Sequence, residues 1–130
     1  MNFLYVIVGL VGLLSILWWK DRRRLLRHQG LSLDDFIKYF QAAGISNDIS
    51  KVTYLHFRQM TGIPSFQPHP NDSFDKTLKI ADEDIYDAVE KILEDLKLEM
   101  PHSGILKEWN DSLETLSDLI HWLAWIQSKN

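Results

Sequence analysis

Hydrophobic and polar positions divide the chain into one uninterrupted apolar run and a longer remainder in which apolar residues recur at helical spacing. The run extends from Phe3 to Trp19 and contains seventeen residues without a charge. At about 1.5 Å per residue, such a helix spans roughly 25 Å, slightly less than the ~30 Å hydrocarbon core of a bilayer. Trp18 and Trp19 are typical of the membrane interface. The pattern therefore predicts a transmembrane anchor over residues 1–20.

Charges beside this run predict its orientation. The positive-inside rule keeps a basic flank in the cytoplasm, so we expect the N-terminus outside and residues 31–130 at the cytoplasmic face of an inner or plasma membrane. Two residues precede the run and no small-residue cleavage motif follows it, which favours a retained anchor over a removed signal peptide. A buried core helix remains the alternative. The basic residues are Lys20, Arg22, Arg23, Arg24 and Arg27.

The next two predicted helices are short, and each is followed by a glycine. Ser32 is expected to cap the first helix, and Gly44 to follow its end. The second helix is expected to begin near Asn47 or Asp48 and to end at Gly62. The apolar positions are Phe36, Ile37, Tyr39, Phe40 and Ala43 in the first, and Ile49, Val52, Leu55 or His56, Phe57 and Met60 in the second.

A proline-rich stretch separates these helices from the rest of the chain. Pro64, Pro68 and Pro70 exclude a continuous helix there, because proline removes a backbone donor and clashes with the preceding turn. The stretch nevertheless carries large apolar side chains. We expect Phe66 and Phe74 to hold this loop against the core.

Two longer helices follow, over residues 82–98 and about 112–127, with a short helical turn near residues 105–109 between them. No segment alternates apolar and polar residues for long enough to predict a strand. The predicted fold class is therefore all-α, with one N-terminal transmembrane helix and a helical bundle that contains one long loop. The inward positions are Ile85, Ala88, Val89, Ile92 and Leu96 in the acidic helix, and Leu113, Leu116, Leu119, Ile120, Leu123 and Ile126 in the last.

Composition narrows the classes of function. The chain has no cysteine, which excludes disulfides, thiolate catalysis and cysteine-ligated metals. Residues 1–30 carry a net charge of +4, whereas residues 31–130 hold nine basic and seventeen acidic side chains, a net charge of −8. Binding to phosphates needs clustered lysine and arginine, so the acidic part argues against nucleic acid as a partner. It favours a protein partner with a basic patch.

Several short motifs resemble those of acyl carrier proteins. Thr61-Gly62-Ile63 is similar to the L-G-[VI] that ends the first carrier helix, and Asp72-Ser73-Phe74 to the polar-Ser-Phe element before the second. The other matching positions are Leu78, Leu96, Met100-Pro101, and Thr115-Leu116 through Ile120-His121-Trp122-Leu123.

The match covers roughly residues 49–125 and needs no gap from Thr53 to Pro101. The resemblance implies a carrier-like four-helix bundle over residues 47–130, with a long loop between its first and second helices. Residues 21–46 would then form a basic juxtamembrane segment and a short linker helix.

The residue that defines the function of this family differs here. Carrier proteins attach 4′-phosphopantetheine to a serine at the start of the second helix, and the corresponding position is Asp82. A carboxylate cannot form the required phosphodiester, so we expect no phosphopantetheine and no other cofactor. Ser73 is a possible displaced attachment site, but using it would move the acidic helix nine residues out of register. We expect Ser73 to cap a turn instead.

The acidic helix is the predicted site of partner binding, because in carrier proteins this helix is the surface that basic patches of enzymes recognise. A solvated helix face is the alternative, since charge runs often have no other role. The predicted partner-binding residues are Asp82, Glu83, Asp84, Asp87, Glu90 and Glu94.

No residue pattern predicts catalysis or a metal site. No two histidines lie three or four residues apart, so we interpret all five as structural or surface residues. At least one of the three tryptophans in the soluble part is expected to pack in the core, and an exposed one would mark an interface or pack on the membrane side. These residues are His28, His56, His69, His102 and His121, and Trp109, Trp122 and Trp125.

We therefore expect a non-enzymatic, membrane-anchored, acyl-carrier-like protein that acts through protein–protein interaction. Two alternatives remain open at this point. One is a phosphopantetheine carrier in a membrane-associated lipid or acyl-transfer pathway, which would use the displaced Ser73. The other is an inhibitor or immunity-type binding protein.

Overall fold

A computed structural model describes residues 2–99 and 113–129 of the chain. Within these ranges the fold is all-helical, with five helices and no strand, as the sequence predicts. The expected turn at residues 105–109 lies outside the described residues, as do Met100-Pro101, His102 and Trp109. The helices are α1 (Asn2–Leu26), α2 (Leu33–Gln41), α3 (Asn47–Thr61), α4 (Asp82–Asp95) and α5 (Leu116–Lys129).

Helix α1 is a single helix of 25 residues that continues through the basic cluster. It is long and apolar enough to cross a membrane, and its apolar part is not buried against the rest of the protein. At about 1.5 Å per residue the helix is roughly 38 Å long. The apolar run of about five turns and the basic residues Lys20, Arg22, Arg23 and Arg24 therefore belong to one continuous helix.

Helix α2 begins as predicted, because the Ser32 hydroxyl accepts a hydrogen bond from the backbone N–H of Asp35 at 3.2 Å. Gly44 follows the helix with a φ of +80°. Phe36 and Phe40 are fully buried, and the Phe36 ring packs edge-on against that of Tyr54 at 5.0 Å. Although the sequence predicts a linker helix here, the apolar face of α2 belongs to the same core as the later helices.

Helix α3 contacts α2, α4 and α5 and ends at Gly62, which has a φ of +69°. Its buried face differs from the predicted one. Leu55 and Met60 are 40% and 38% exposed, because Leu55 lies on the side of α3 away from its buried residues and Met60 lies in the last turn. His56, the predicted alternative to Leu55, is half-buried. Two polar residues, Ser50 and Thr53, are buried instead, since α2 covers that side of α3.

The segment between α3 and α4 contains no helix, as its prolines predict. Phe66 and Phe74 are buried and hold the segment against the core, which confirms their expected role. The ring of Phe74 lies 5.5 Å from that of Phe57 in α3. Ser73 forms an isolated antiparallel bridge with Thr115, just before α5.

Helices α4 and α5 bury most of the predicted stripes, but Leu96 and Leu113 are only half-buried, and Leu93 is buried although the sequence did not predict it. The ends of both helices also differ from expectation. Helix α4 stops at Asp95, because the chain turns through Lys97, which has a φ of +58°. Helix α5 starts at Leu116, where Thr115 and Asp118 cap it reciprocally through each other's backbone N–H groups at 3.2 and 3.1 Å. The buried residues are Ile85, Ala88, Val89, Ile92 and Leu93 in α4, and Leu116, Leu119, Ile120, Leu123 and Ile126 in α5.

Candidate protein-binding surface

Helix α4 carries four acidic residues along the face opposite its buried stripe. We call this set the acidic stripe: Glu83, Asp87, Glu90 and Glu94. The i, i+4, i+7, i+11 spacing places their Cβ atoms on one side of the helix. Since the apolar side chains of the helix point into the core, the acidic stripe points into solvent.

All six acidic residues predicted to bind a partner are exposed. Among the residues that the structure describes, none of the six has an ion-pair partner. Like charges four residues apart destabilise a helix by about 0.2–0.5 kcal/mol per pair. The acidic stripe therefore carries unneutralised repulsion that a cationic partner would relieve.

Asp84 and Asp87 also line a groove of about 470 Å³ between α3 and α4. The α3 wall includes His56 and the exposed Met60. His56 Nε2 lies 2.7 Å from a carboxylate oxygen of Asp95 and so bridges the two helices. The α4 wall carries Lys91 beside the two carboxylates. A lysine or arginine side chain of a partner could still place its charged end near the carboxylates and its methylene stem against Met60.

Asp82 and Ser73 line one cavity of about 460 Å³. The Ser73 hydroxyl accepts a hydrogen bond from the backbone N–H of Lys76 at 3.1 Å, so it caps the turn that follows it. The Ser73 carbonyl accepts from the N–H groups of Thr77 and Leu78. The serine is therefore built into the local turn, while Asp82 stands exposed at the start of α4.

The segment after α1 is fastened to the irregular segment by a buried carboxylate. Asp72 is only 4% exposed, and His28 Nε2 lies 2.9 Å from both of its carboxylate oxygens. The backbone N–H of His69 donates to the same carboxylate at 2.8 Å. The His28 ring also stacks on Phe66 at 5.1 Å between centroids. Sequence reasoning missed this pairing because no local pattern connects residues 44 positions apart.

Further backbone contacts extend this attachment. Leu31 donates its N–H to the Pro68 carbonyl at 3.1 Å, and Gly30 lies so close to Gln67 that an added Cβ would fall 1.5 Å from its carbonyl oxygen. The guanidinium of Arg24 donates to the Thr77 carbonyl. We call these contacts, together with the His28–Asp72 pair, the anchor clamp. They hold the chain that leaves α1 against the rest of the protein, α2 to α5 with the irregular segment, which we call the helical unit.

Tyr54 links the anchor clamp to α3. Its hydroxyl donates to the Leu31 carbonyl at 2.7 Å and accepts from Arg58 at 2.8 Å. Arg58 also donates to the Phe66 carbonyl at 2.8 Å and lies over the Tyr54 ring. Burial raises the pKa of Tyr54, and the Arg58 charge opposes that shift. The i, i+4 spacing of Tyr54 and Arg58 was the available sequence signal for this contact.

The remaining histidines and tryptophans take separate positions. The ring of His69 accepts a hydrogen bond from the backbone N–H of Asn71 at 3.0 Å, and exposed His121 lies 6.2 Å from the Phe40 ring. Trp122 is half-buried and Trp125 is 43% exposed. Within residues 2–99 and 113–129, no three potential metal-ligating side chains converge.

The arrangement offers binding chemistry through exposed carboxylates on α4 and a groove beside them. Comparison with known proteins does not assign a function to this surface. No protein-family model, curated protein or solved structure matches the chain.

Proposed function

We propose that the chain is a non-enzymatic, membrane-anchored protein that binds a basic protein partner through the acidic stripe. Helix α1 would be the transmembrane anchor, with the rest of the chain at the cytoplasmic face. The observation that carries the proposal is the acidic stripe itself: four exposed carboxylates without ion-pair partners in the described chain, on the face opposite the buried one.

Charge complementarity supports a protein partner with a basic patch. The part of the chain after residue 30 has a net charge of −8, which would repel anionic lipid and nucleic acid alike. Complementary charge also speeds association with a cationic surface and penalises wrong partners. The groove beside Asp84 and Asp87 supplies a place where a lysine or arginine of that partner could be inserted.

The anchor clamp supports a role in which the protein holds its partner at a fixed place beside the membrane. A flexible tether would leave the helical unit free to tumble, whereas hydrogen bonds from His28 and Leu31 fasten the chain directly after α1. A partner bound at the acidic stripe would therefore be held close to the membrane surface.

The resemblance to acyl carrier proteins is compatible with this proposal. In the carrier plan, α3 would be the first helix, the irregular segment after it the long loop, and α4 the recognition helix. Asp82 at the start of α4 would then stand where carriers have the attachment serine. We propose that the protein retains the docking face of a carrier without carrying an acyl group.

Co-purification from membranes tests the proposal. The full chain is extracted in mild detergent as wild type, as a stripe variant (Asp87→Asn, Glu90→Gln, Glu94→Gln) and as a control (Asp34→Asn, Asp48→Asn, Asp75→Asn). Both variants remove three exposed negative charges. A basic protein recovered with wild type and control but lost with the stripe variant supports the proposal. Equal loss, or retention by both, contradicts it.

A phosphopantetheine carrier is the second candidate, because Ser73 lines the same cavity as Asp82. The intact mass of the full chain after co-expression with a phosphopantetheinyl transferase distinguishes the two. We expect the unmodified mass. A gain of one phosphopantetheine that disappears in Ser73→Ala would replace our proposal with this one.

A further inference from the structure

Four of the five basic residues near the end of α1 lie along one side, and the last of them, Arg27, directly follows the helix and donates its N–H to the Arg23 carbonyl. Lys20, Arg23, Arg24 and Arg27 follow the spacing i, i+3, i+4, i+7, which places them along one side. They line a shallow cleft of about 410 Å³, and all of its described lining residues are basic. Arg22 is directed elsewhere, since its guanidinium lies over the Trp18 ring at 5.5 Å.

The orientation of α1 in a membrane does not by itself explain why these basic residues share one side. The positive-inside rule depends on the number of cations in the flanking segment, and the helix dipole favours cations anywhere in the last turn. Neither effect requires that four cations share one face. Placing them together raises their mutual repulsion, which an anion in the cleft would relieve.

Arg24 gives a second indication of an anion. Its guanidinium donates to the Thr77 carbonyl and so belongs to the anchor clamp, but its Nε atom is buried and has no acceptor among the described residues. A buried donor without an acceptor is costly, and a charged one more so. An anionic oxygen in the adjoining cleft, which Arg24 also lines, would satisfy this donor once the guanidinium turns toward it.

We infer that this cleft binds the phosphate of an anionic phospholipid headgroup. The inference rests on the proposed role of α1 as a membrane anchor. The cleft begins one residue after Trp19, where the apolar run ends and a headgroup phosphate would lie. The cations of the cleft attract the negative charge of a phosphodiester, and guanidinium groups bind its oxygens in pairs.

The inference adds a second attachment to the anchor clamp. Because Arg24 contacts both the cleft and the Thr77 carbonyl, a bound headgroup would order the side chain that joins α1 to the irregular segment. Anionic lipid would thereby fix the helical unit against the membrane, although that unit is itself acidic.

Native mass spectrometry of the detergent-solubilised full chain tests this inference. Phosphatidylglycerol and phosphatidylcholine are titrated separately against wild type and the single variants Lys20→Gln, Arg23→Gln, Arg27→Gln and Arg22→Gln. We expect wild type to retain phosphatidylglycerol in preference to phosphatidylcholine. Each of the first three variants should weaken that binding about fivefold, as expected for loss of one cation beside the lipid. Arg22→Gln removes the same charge outside the cleft and should leave binding unchanged.

Three results would overturn the inference. One is equal retention of the two lipids by wild type. Another is an equal loss in Arg22→Gln and the cleft variants, which would indicate a response to total charge. The third is displacement of phosphatidylglycerol by excess inorganic phosphate, which would assign the cleft to a soluble anion.

Alkaline carbonate extraction of membranes separates this inference from the proposed function. If the chain stays with the membrane but shows no lipid preference, the headgroup site alone is wrong and the docking proposal stands. If carbonate releases the chain, the anchor is wrong and both proposals fail.

Discussion

The Nε2 atom of His28 lies 2.9 Å from the carboxylate of Asp72, a side chain that is only 4% exposed. The pair joins the chain just after α1 to the irregular segment that precedes α4. Because Asp72 also receives the His69 N–H, its carboxylate organises both segments at one point. This contact fixes the chain after α1 to the irregular segment, so the connection is not a flexible linker.

A double-mutant cycle measures the strength of this joint. His28→Ala, Asp72→Ala and the double variant are unfolded with denaturant in detergent as full chains. We expect a coupling free energy of about 1.5–3 kcal/mol, typical of a hydrogen bond to a charged group. The His56–Asp95 pair is the control, because Asp95 is 56% exposed and its coupling should fall below about 1 kcal/mol. Equal coupling in the two pairs would contradict the assigned role of burial.

Gly30 is expected to be essential to the anchor clamp. In Gly30→Ala the new Cβ would collide with the Gln67 carbonyl oxygen, so the two backbones must separate. Overpacking of this kind costs about 1–3 kcal/mol. Hydrogen–deuterium exchange should speed up in residues 66–72 of this variant but not in Gly12→Ala, where no atom lies within 4 Å of the added carbon. Unchanged exchange in both variants would show that the close approach is absent in solution.

Stability should fall at alkaline pH because of Tyr54. Burial raises its pKa above the ordinary value of 10.0, so the unfolded phenol loses its proton at a lower pH than the folded one. The folded state then binds more protons, and the free energy of unfolding decreases as pH rises above about 10. Tyr54→Phe should remove this component of the pH dependence.

The control for this measurement is Tyr39→Phe, whose ring is 50% exposed. Denaturant unfolding is compared at neutral and alkaline pH for wild type and both variants. We expect the stability difference between wild type and Tyr54→Phe to shrink at high pH, while Tyr39→Phe retains the wild-type pH dependence. A constant difference for Tyr54→Phe would refute the assigned titration.

Helix α2 should contribute strongly to stability. Phe36 is fully buried, so Phe36→Ala should cost about 3–5 kcal/mol in the free energy of unfolding. Tyr39→Ala, on the exposed side of the same helix, should cost much less. If both substitutions had similarly small effects, α2 would be a linker, as the sequence alone suggested.

Local patterns predicted much of this fold. Ser32 at an N-cap, Gly62 in the left-handed region, and Phe66 and Phe74 in the core follow from rules that act within a few residues. The apolar stripe and the acidic residues of α4 likewise follow from helical periodicity, and so the candidate surface was found from the sequence.

Contacts between distant segments were not predictable in the same way. Phe36 and Phe40 form part of the core because α2 packs on α3, and the spacing of their side chains does not specify that partner. His28 and Asp72 carry no shared motif, since their contact depends on how the irregular segment turns back toward α1. Leu55 is exposed for the same reason: the positions of α2, α4 and α5 decide which side of α3 is buried.

Photo-crosslinking in intact cells tests the central claim most directly. A photoreactive residue replaces Asp87 in the acidic stripe of the full chain, and a control chain carries it in place of Asp48, an equally exposed acid on α3. We predict an adduct with a basic protein from position 87 and none from position 48. Absence of an adduct at position 87, or the same adduct in equal yield from both positions, would contradict binding through the acidic stripe.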